Sequence, residues 1–212
     1  MSNAENITFD TDAKTKTAKE DIEWLRLWCE QVNDNALPHI ALVGDSITEG
    51  YFRLVQKAFE GIARVDYLAT SYSIASDAYA AMVKAFIADS DYVAVHYNYG
   101  LHAYSVTDEV YAARCKEMLT FLSARTKTVV GLTTTVLTDD LKTESAEWKE
   151  KVIARNAELA KIADELRLPV NDLYTESRRL NGDNRAADGV HFSEKGYAAL
   201  ALQVTESLKK LL

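Results

Sequence analysis

The sequence predicts a three-layer α/β sandwich, with a flavodoxin-like five-stranded parallel sheet and helices on both of its faces. Two observations predict this. Short apolar runs alternate along the chain with segments whose apolar residues recur every three or four positions, the signature of strand–helix units. The runs are continuously apolar instead of alternating with polar residues, as strands covered on both sides require. The length of 212 residues is enough for one domain to bury a full core without disulfide or metal staples. Residues 19–212 read as that domain, undivided by a repeat, linker or low-complexity block. Residues 1–18, polar and aperiodic, read as a flexible arm.

In order, Lys19–Asp34 reads as an amphipathic helix, because Ile22, Leu25, Trp28, Cys29 and Val32 recur at three and four. Pro38 closes the turn after it. His39–Val43 is a short apolar strand that breaks into Gly44-Asp45-Ser46. Ala63–Leu68 reads as the second strand and Asp77–Ala88 as a helix. Tyr92–His96 is the third strand, followed by a helix over Thr107–Ala124 with Val110, Cys115, Met118, Leu119 and Leu122 inward. Thr128–Leu132 is the fourth strand, and Thr143–Leu166 a long helix capped by Thr143 or Ser145. Pro169–Leu173 makes a short fifth strand, and Ser177–Asp188 is irregular. Ser193 caps a final helix through Leu212, with Glu194 in its acidic first turn.

With 24 basic and 32 acidic residues the chain carries a formal charge of −8. That balance, without any Lys/Arg block, argues against a nucleic-acid or anionic-membrane partner, since the attraction that dominates phosphate binding would become repulsion. No apolar run reaches the roughly 18 residues of a membrane-spanning helix. Cys29 and Cys115 are spaced neither as zinc ligands nor as a redox pair, and both read as buried free thiols. The N-terminus has no charged-then-apolar leader pattern. Ser2-Asn3-Ala4 looks like the scar of a cleaved expression tag. The expectation is therefore a cytoplasmic chain by default, secreted or periplasmic if a leader was removed.

Parallel sheets bind ligands beyond the carboxyl ends of their strands. After the first strand stands Gly44-Asp45-Ser46-Ile47-Thr48-Glu49-Gly50, which matches neither the Walker nor the dinucleotide fingerprint. It reads either as a nucleophile loop, with Ser46 at the strand tip, or as a serine capping the next helix. After the third strand, Asn98 followed by Gly100 could supply oxyanion donors, or could merely satisfy turn backbone. Before the last helix, Asp188 precedes His191 by three residues, a spacing that lets a carboxylate orient an imidazole. No carboxylate is poised this way near His39, His96 or His102, and a metal site from His96 and His102 has little spacing support.

These three segments together resemble the SGNH hydrolases, also called GDSL esterases and lipases. Gly44-Asp45-Ser46-Ile47 is similar to the first family motif and Asp188-x-x-His191 to the last, over residues 38–212. Asn98-Tyr99-Gly100-Leu101-His102 resembles a branch in which N-N-G-L-H replaces the usual third motif, with Tyr99 in place of the second Asn. The resemblance implies a serine esterase without cofactor or metal. Ser46 is then the nucleophile, His191 the base and Asp188 its partner. The Ser46 N–H, a donor near Ser73, the Asn98 amide and Gly100 are the implied oxyanion donors. The second motif normally carries a glycine, and Ala69–Asp77 has none. Asp45, Tyr72, Tyr99, His102 and Thr134 complete the expected substrate-facing set, with Thr133-Thr134-Thr135 as pocket rim. Arg155-Asn156, mid-helix, reads as structural.

Tyr51, Tyr72, Tyr97, Tyr99 and Tyr104 crowd the predicted pocket loops, where they read either as packing of the rim or as a surface that suits a sugar ring or a small polar ester. The expected substrate is a short-acyl ester of a carbohydrate or small molecule. Two other classes stay open: a non-catalytic carbohydrate- or ligand-binding module with a defective oxyanion hole, and a flavodoxin-like flavin or nucleotide binder. Oligomeric state is not legible in the sequence.

Overall fold

The computed structural model describes residues 19–102, 106–134 and 144–212. The arm expected at 1–18, together with Tyr104, Thr135 and Thr143, lies outside the described residues.

Continuous apolar sequence becomes five parallel strands: β2 (His39–Gly44), β3 (Arg64–Thr70), β4 (Tyr92–Asn98), β5 (Lys127–Gly131) and β6 (Val170–Asn171). Their spatial order is β3-β2-β4-β5-β6, with β1 (Leu25–Trp28) added antiparallel beyond β3. Counting the parallel strands alone, this is the flavodoxin-like order, which reverses direction between β2 and β4. The sheet is thus six-stranded, one strand more than the sequence reading.

The helices are α1 (Ser46–Ala58), α2 (Asp77–Ala88), α3 (Asp108–Ser123), α4 (Glu144–Glu165), α5 (Leu173–Arg179) and α6 (Glu194–Lys209), with one 3₁₀ turn at Gly182–Asn184. Side-chain alternation along β2 divides the core. Ile40 and Leu42 face α1 and α6, meeting Phe52, Val55, Val204 and Leu208, whereas Ala41 and Val43 face Val83, Met118, Leu119 and Ile162 of α2, α3 and α4. Helices therefore cover both faces.

The largest correction concerns residues 19–34. They form no helix; β1 pairs with β3 in the register Leu25↔Thr70 to Trp28↔Tyr67. The three-and-four spacing marks no buried face, since Ile22 is 75% exposed and Val32 52%. What decides the conformation is the open edge of β3. There Thr70 Oγ1 and the Ser71 N–H both donate to the Trp24 carbonyl, and Asp66 accepts the Glu30 N–H at 2.8 Å. Cys29 accordingly lies on no helix and is only half-buried; Cys115 is buried, and both thiols are free.

Smaller differences follow from packing. In α3, capped by Thr107, Val110 points outward at 43% exposure and Tyr111 takes the inward place. The fifth strand shrinks to Val170–Asn171 because Asp172 caps α5, which occupies the start of the stretch read as irregular. The final helix ends at Lys209. No helix among the described residues is long and apolar enough to cross a membrane.

Candidate active site

Ser46 opens α1, but the cap is its predecessor. Asp45 keeps an extended backbone and its carboxylate accepts the Ile47 N–H at 3.0 Å. The Ser46 hydroxyl is thereby left for other work. Gly44 is required just before it: a Cβ there would stand 2.0 Å from Thr48 Oγ1 and 2.6 Å from the Asn98 carbonyl oxygen. Only glycine lets the ends of β2 and β4 approach this closely at the point where strand order reverses.

The loop before α6 faces that serine. Ser46 Oγ lies 2.8 Å from His191 Nε2, and His191 Nδ1 lies 2.6 Å from Asp188 Oδ2. Asp188 Oδ1 also accepts the Val190 and His191 N–H groups, each at 2.9 Å. Gly189, at φ +71°, makes the left-handed turn that folds the loop back onto this carboxylate. Burial raises the Asp188 carboxyl, but the hydrogen bonds from His191 and Val190 outweigh it and hold the group below its ordinary value. An ionised Asp188 keeps the imidazole proton on Nδ1 and leaves Nε2 to accept from the serine.

The surroundings pin the loop in place. Arg185 donates to the carbonyls of Leu180 (2.9 Å) and Ser177 (2.7 Å) and lies 4.0 Å over the Phe192 ring. Burial pushes its guanidinium down to about 10. Ser193 caps α6 and donates to the Asp183 carbonyl at 2.6 Å. A Cβ on Gly196 would come 2.2 Å from the Asn184 carbonyl oxygen, so α6 and the loop touch backbone to backbone.

Asn98 ends β4 and is buried; its Nδ2 donates to the Leu132 carbonyl at 3.1 Å, which leaves one amide proton. Ser73 is buried in the loop after β3, its hydroxyl accepting the Ala75 N–H at 3.3 Å. Gly100 is wedged beside Thr133, where a Cβ would stand 2.4 Å from Oγ1. Thr134 is buried, and its hydroxyl has no hydrogen-bond partner among the described residues. His102 Nδ1 pairs with Glu20 Oε1 at 2.7 Å and lines a cleft of about 490 Å³ with Lys19, Asp21, Ile22 and Trp148.

Other members of the expected set do not face a pocket. Asp45 is fully buried as a helix cap, and burial raises its carboxyl against the pull of His102, the Ile47 N–H and His191. Tyr99 is core: its ring packs on Tyr79 at 4.6 Å and its hydroxyl donates to the Tyr72 carbonyl. Tyr97 and Tyr51 are equally buried, since strand and helix periodicity turns them inward; among the described members of the tyrosine group only Tyr72 remains partly accessible. His96 is buried elsewhere, accepting from Asn171 at 3.1 Å, so it shares no ligand with His102.

No family model matches the sequence, and no curated protein matches it. Solved structures do. A lipase/acylhydrolase of Enterococcus faecalis superposes with a TM-score of 0.67 at 17% identity, over 82% of this chain and 96% of its own. A lipolytic G-D-S-L family protein of Veillonella parvula gives 0.66 at 22%, over 82% and 100%. The acetylxylan esterase Axe2 of Geobacillus stearothermophilus gives 0.66 at 15%, over 82% and 94%. The fold is that of the SGNH, or GDSL, hydrolases.

Within this SGNH fold, two residues near the site were read from sequence only as structural. Arg155 Nη1 donates to the Gly100 carbonyl at 2.7 Å, and Asn156 brackets Thr133, accepting its N–H and donating to its carbonyl at 2.8 Å each. The signal was available: Asn156 stands on the buried stripe of α4 between Val152 and Leu159, where an apolar residue is expected. Glu20 carried no signal, because its partner lies 82 residues away.

Proposed function

We propose that this protein is a serine ester hydrolase working through an acyl-enzyme. The observation that carries the reading is the unbroken hydrogen-bonded line from Ser46 Oγ through His191 to Asp188, at 2.8 and 2.6 Å. Ser46 attacks the ester carbonyl while His191 Nε2 takes the hydroxyl proton, and Asp188 stabilises the imidazolium that forms. His191 then protonates the departing alcohol. Water, activated by the same imidazole, cleaves the acyl-serine bond and restores the hydroxyl.

Negative charge on the carbonyl oxygen falls at the N-terminus of the 13-residue α1, where the Ser46 N–H and the helix dipole favour it. The free Asn98 amide proton and a backbone N–H near Ser73 complete the donor set. Each such donor lowers the barrier by roughly 3 kcal/mol. For substrate we favour a short-acyl ester of a carbohydrate or small polar alcohol. Supporting this is the cleft beside His102, whose Glu20 and Asp21 carboxylates accept hydroxyl protons and whose Trp148 offers a flat apolar face.

The test is labelling by a fluorophosphonate, with the modified peptide identified by mass. The expected result is modification at Ser46, absent from Ser46→Ala, which also loses ester turnover. An unlabelled wild-type protein, folded and beside a labelled control hydrolase, refutes the hydrolase and leaves a ligand-binding module.

A further inference from the structure

Three features outside the proposed triad invite a role: the cluster of His39, Asp66 and Tyr92 at the opposite end of the sheet, the Glu20–His102 pair, and the buried Arg155-Asn156 pair. The third is tied to the site by a continuous chain of contacts. Both residues are buried near the middle of α4, and each turns its polar group onto a different active-site loop. Arg155 holds the loop after β4 through the Gly100 carbonyl and lies 5.0 Å over the Tyr111 ring, whose hydroxyl donates to the Tyr99 carbonyl at 3.0 Å. Asn156 holds the loop after β5 by both polar groups of Thr133, an arrangement that also fixes which side of its amide is oxygen. Thr133 directly follows Leu132, whose carbonyl orients the Asn98 amide.

We infer that Asn156 is a positioning residue for the oxyanion hole, acting through Thr133 and Leu132 on Asn98, with Arg155 holding the facing loop. Asn98 donates one of its two amide protons to this chain, at the Leu132 carbonyl, and the other proton points where that bond forces it. With Thr133 released, the Leu132 carbonyl drifts and the Asn98 amide loses its aim. Small displacements of an aimed donor cost large factors in rate, while ground-state binding, which does not depend on that aim, is spared. The inference rests on the hydrolase reading and on Asn98 as a donor.

A double-mutant cycle on ester hydrolysis tests it. Asn98→Ala is expected to lower kcat by about 100-fold, as oxyanion donors do. Asn156→Ala is expected to lower kcat by roughly 10-fold or more with KM nearly unchanged. In the Asn98→Ala background, Asn156→Ala is expected to add less than about twofold, since residues acting through one another are not additive. Val152→Ala, which removes buried apolar contact on the same helix but no hydrogen bond to either loop, should lower thermal stability and leave kcat near that of wild type. Full additivity of Asn156 and Asn98, or a kcat loss in Val152→Ala as large as in Asn156→Ala, overturns the positioning role and leaves the hydrolase standing. Unchanged kcat in Asn98→Ala instead removes the oxyanion assignment beneath it, and persistent turnover in Ser46→Ala removes the hydrolase itself.

Discussion

His96 is buried in the sheet, and replacing it by glutamine should flatten the acid side of the stability profile. Its Nε2 accepts from Asn171 Nδ2 at 3.1 Å, and Asn171 Oδ1 accepts from Gln203 Nε2 at 2.8 Å, so the donor direction along this line is settled. Protonation would turn Nε2 into a donor facing a donor. The ring is also fully buried and packed over Gly131, where a Cβ would approach it to 2.6 Å. Burial pushes the imidazole down to about 3 from its ordinary 6.5.

The unfolded chain therefore binds a proton at this residue between pH 6.5 and 3 that the folded chain refuses, and stability falls as pH falls through that window. At about 1.4 kcal/mol per unit, lowering the pH from 7 to 5 removes about 2 kcal/mol, and the full window about 5 kcal/mol. Those losses are large against a total stability of roughly 5–15 kcal/mol. Urea unfolding followed by tryptophan fluorescence at pH 7 and pH 5 measures it. Other titrating groups act alike in wild type and His96→Gln, so their difference isolates His96. The variant should lose about 2 kcal/mol less between the two pH values. Equal losses in the two proteins would show that His96 is not held neutral and would refute the argument.

Two further outcomes follow from the loop before α6. Asp188→Asn keeps the side-chain shape but removes the charge that orients and stabilises the imidazolium, so kcat should fall by about 100-fold or more at neutral pH, with little change in unfolding midpoint. Steady-state kinetics on a short-chain ester would check it, and wild-type kcat would speak against Asp188 as the partner. Gly196→Ala pushes a Cβ into the Asn184 backbone carbonyl and should cost about 1–3 kcal/mol in urea unfolding while loosening His191. An unchanged midpoint there would mean that the loop and α6 are free to separate.

Much of the site was legible because its parts are local. The Asp188 turn closes within three residues, helped by a glycine in the left-handed region, and Asp188-Gly-x-His carries both in sequence. Gly44-Asp45-Ser46 likewise joins a required close approach, a helix cap and a strand tip in adjacent positions. Tyrosine placement was misread because composition near a loop does not say which way a ring turns. Tyr97 and Tyr99 stand two apart and both enter the core. Arg155 and Asn156 were read only as structural because polar residues mid-helix are usually solvated, and their partners lie 55 and 23 residues away.

By itself the sequence determined the alternation of buried strands and amphipathic helices, the capped start of α6, and the order of the three loops that meet at the sheet's carboxyl ends. Those features depend on contacts within a few residues, or on a hydrophobic period that any covered parallel sheet imposes. Only the tertiary structure decided that residues 25–28 are an edge strand, that Glu20 closes onto His102, and that α4 grips two loops of the candidate site. In each case the deciding partner is remote in sequence. An open strand edge, an unpaired carbonyl or a buried N–H must be satisfied by whatever the fold brings beside it.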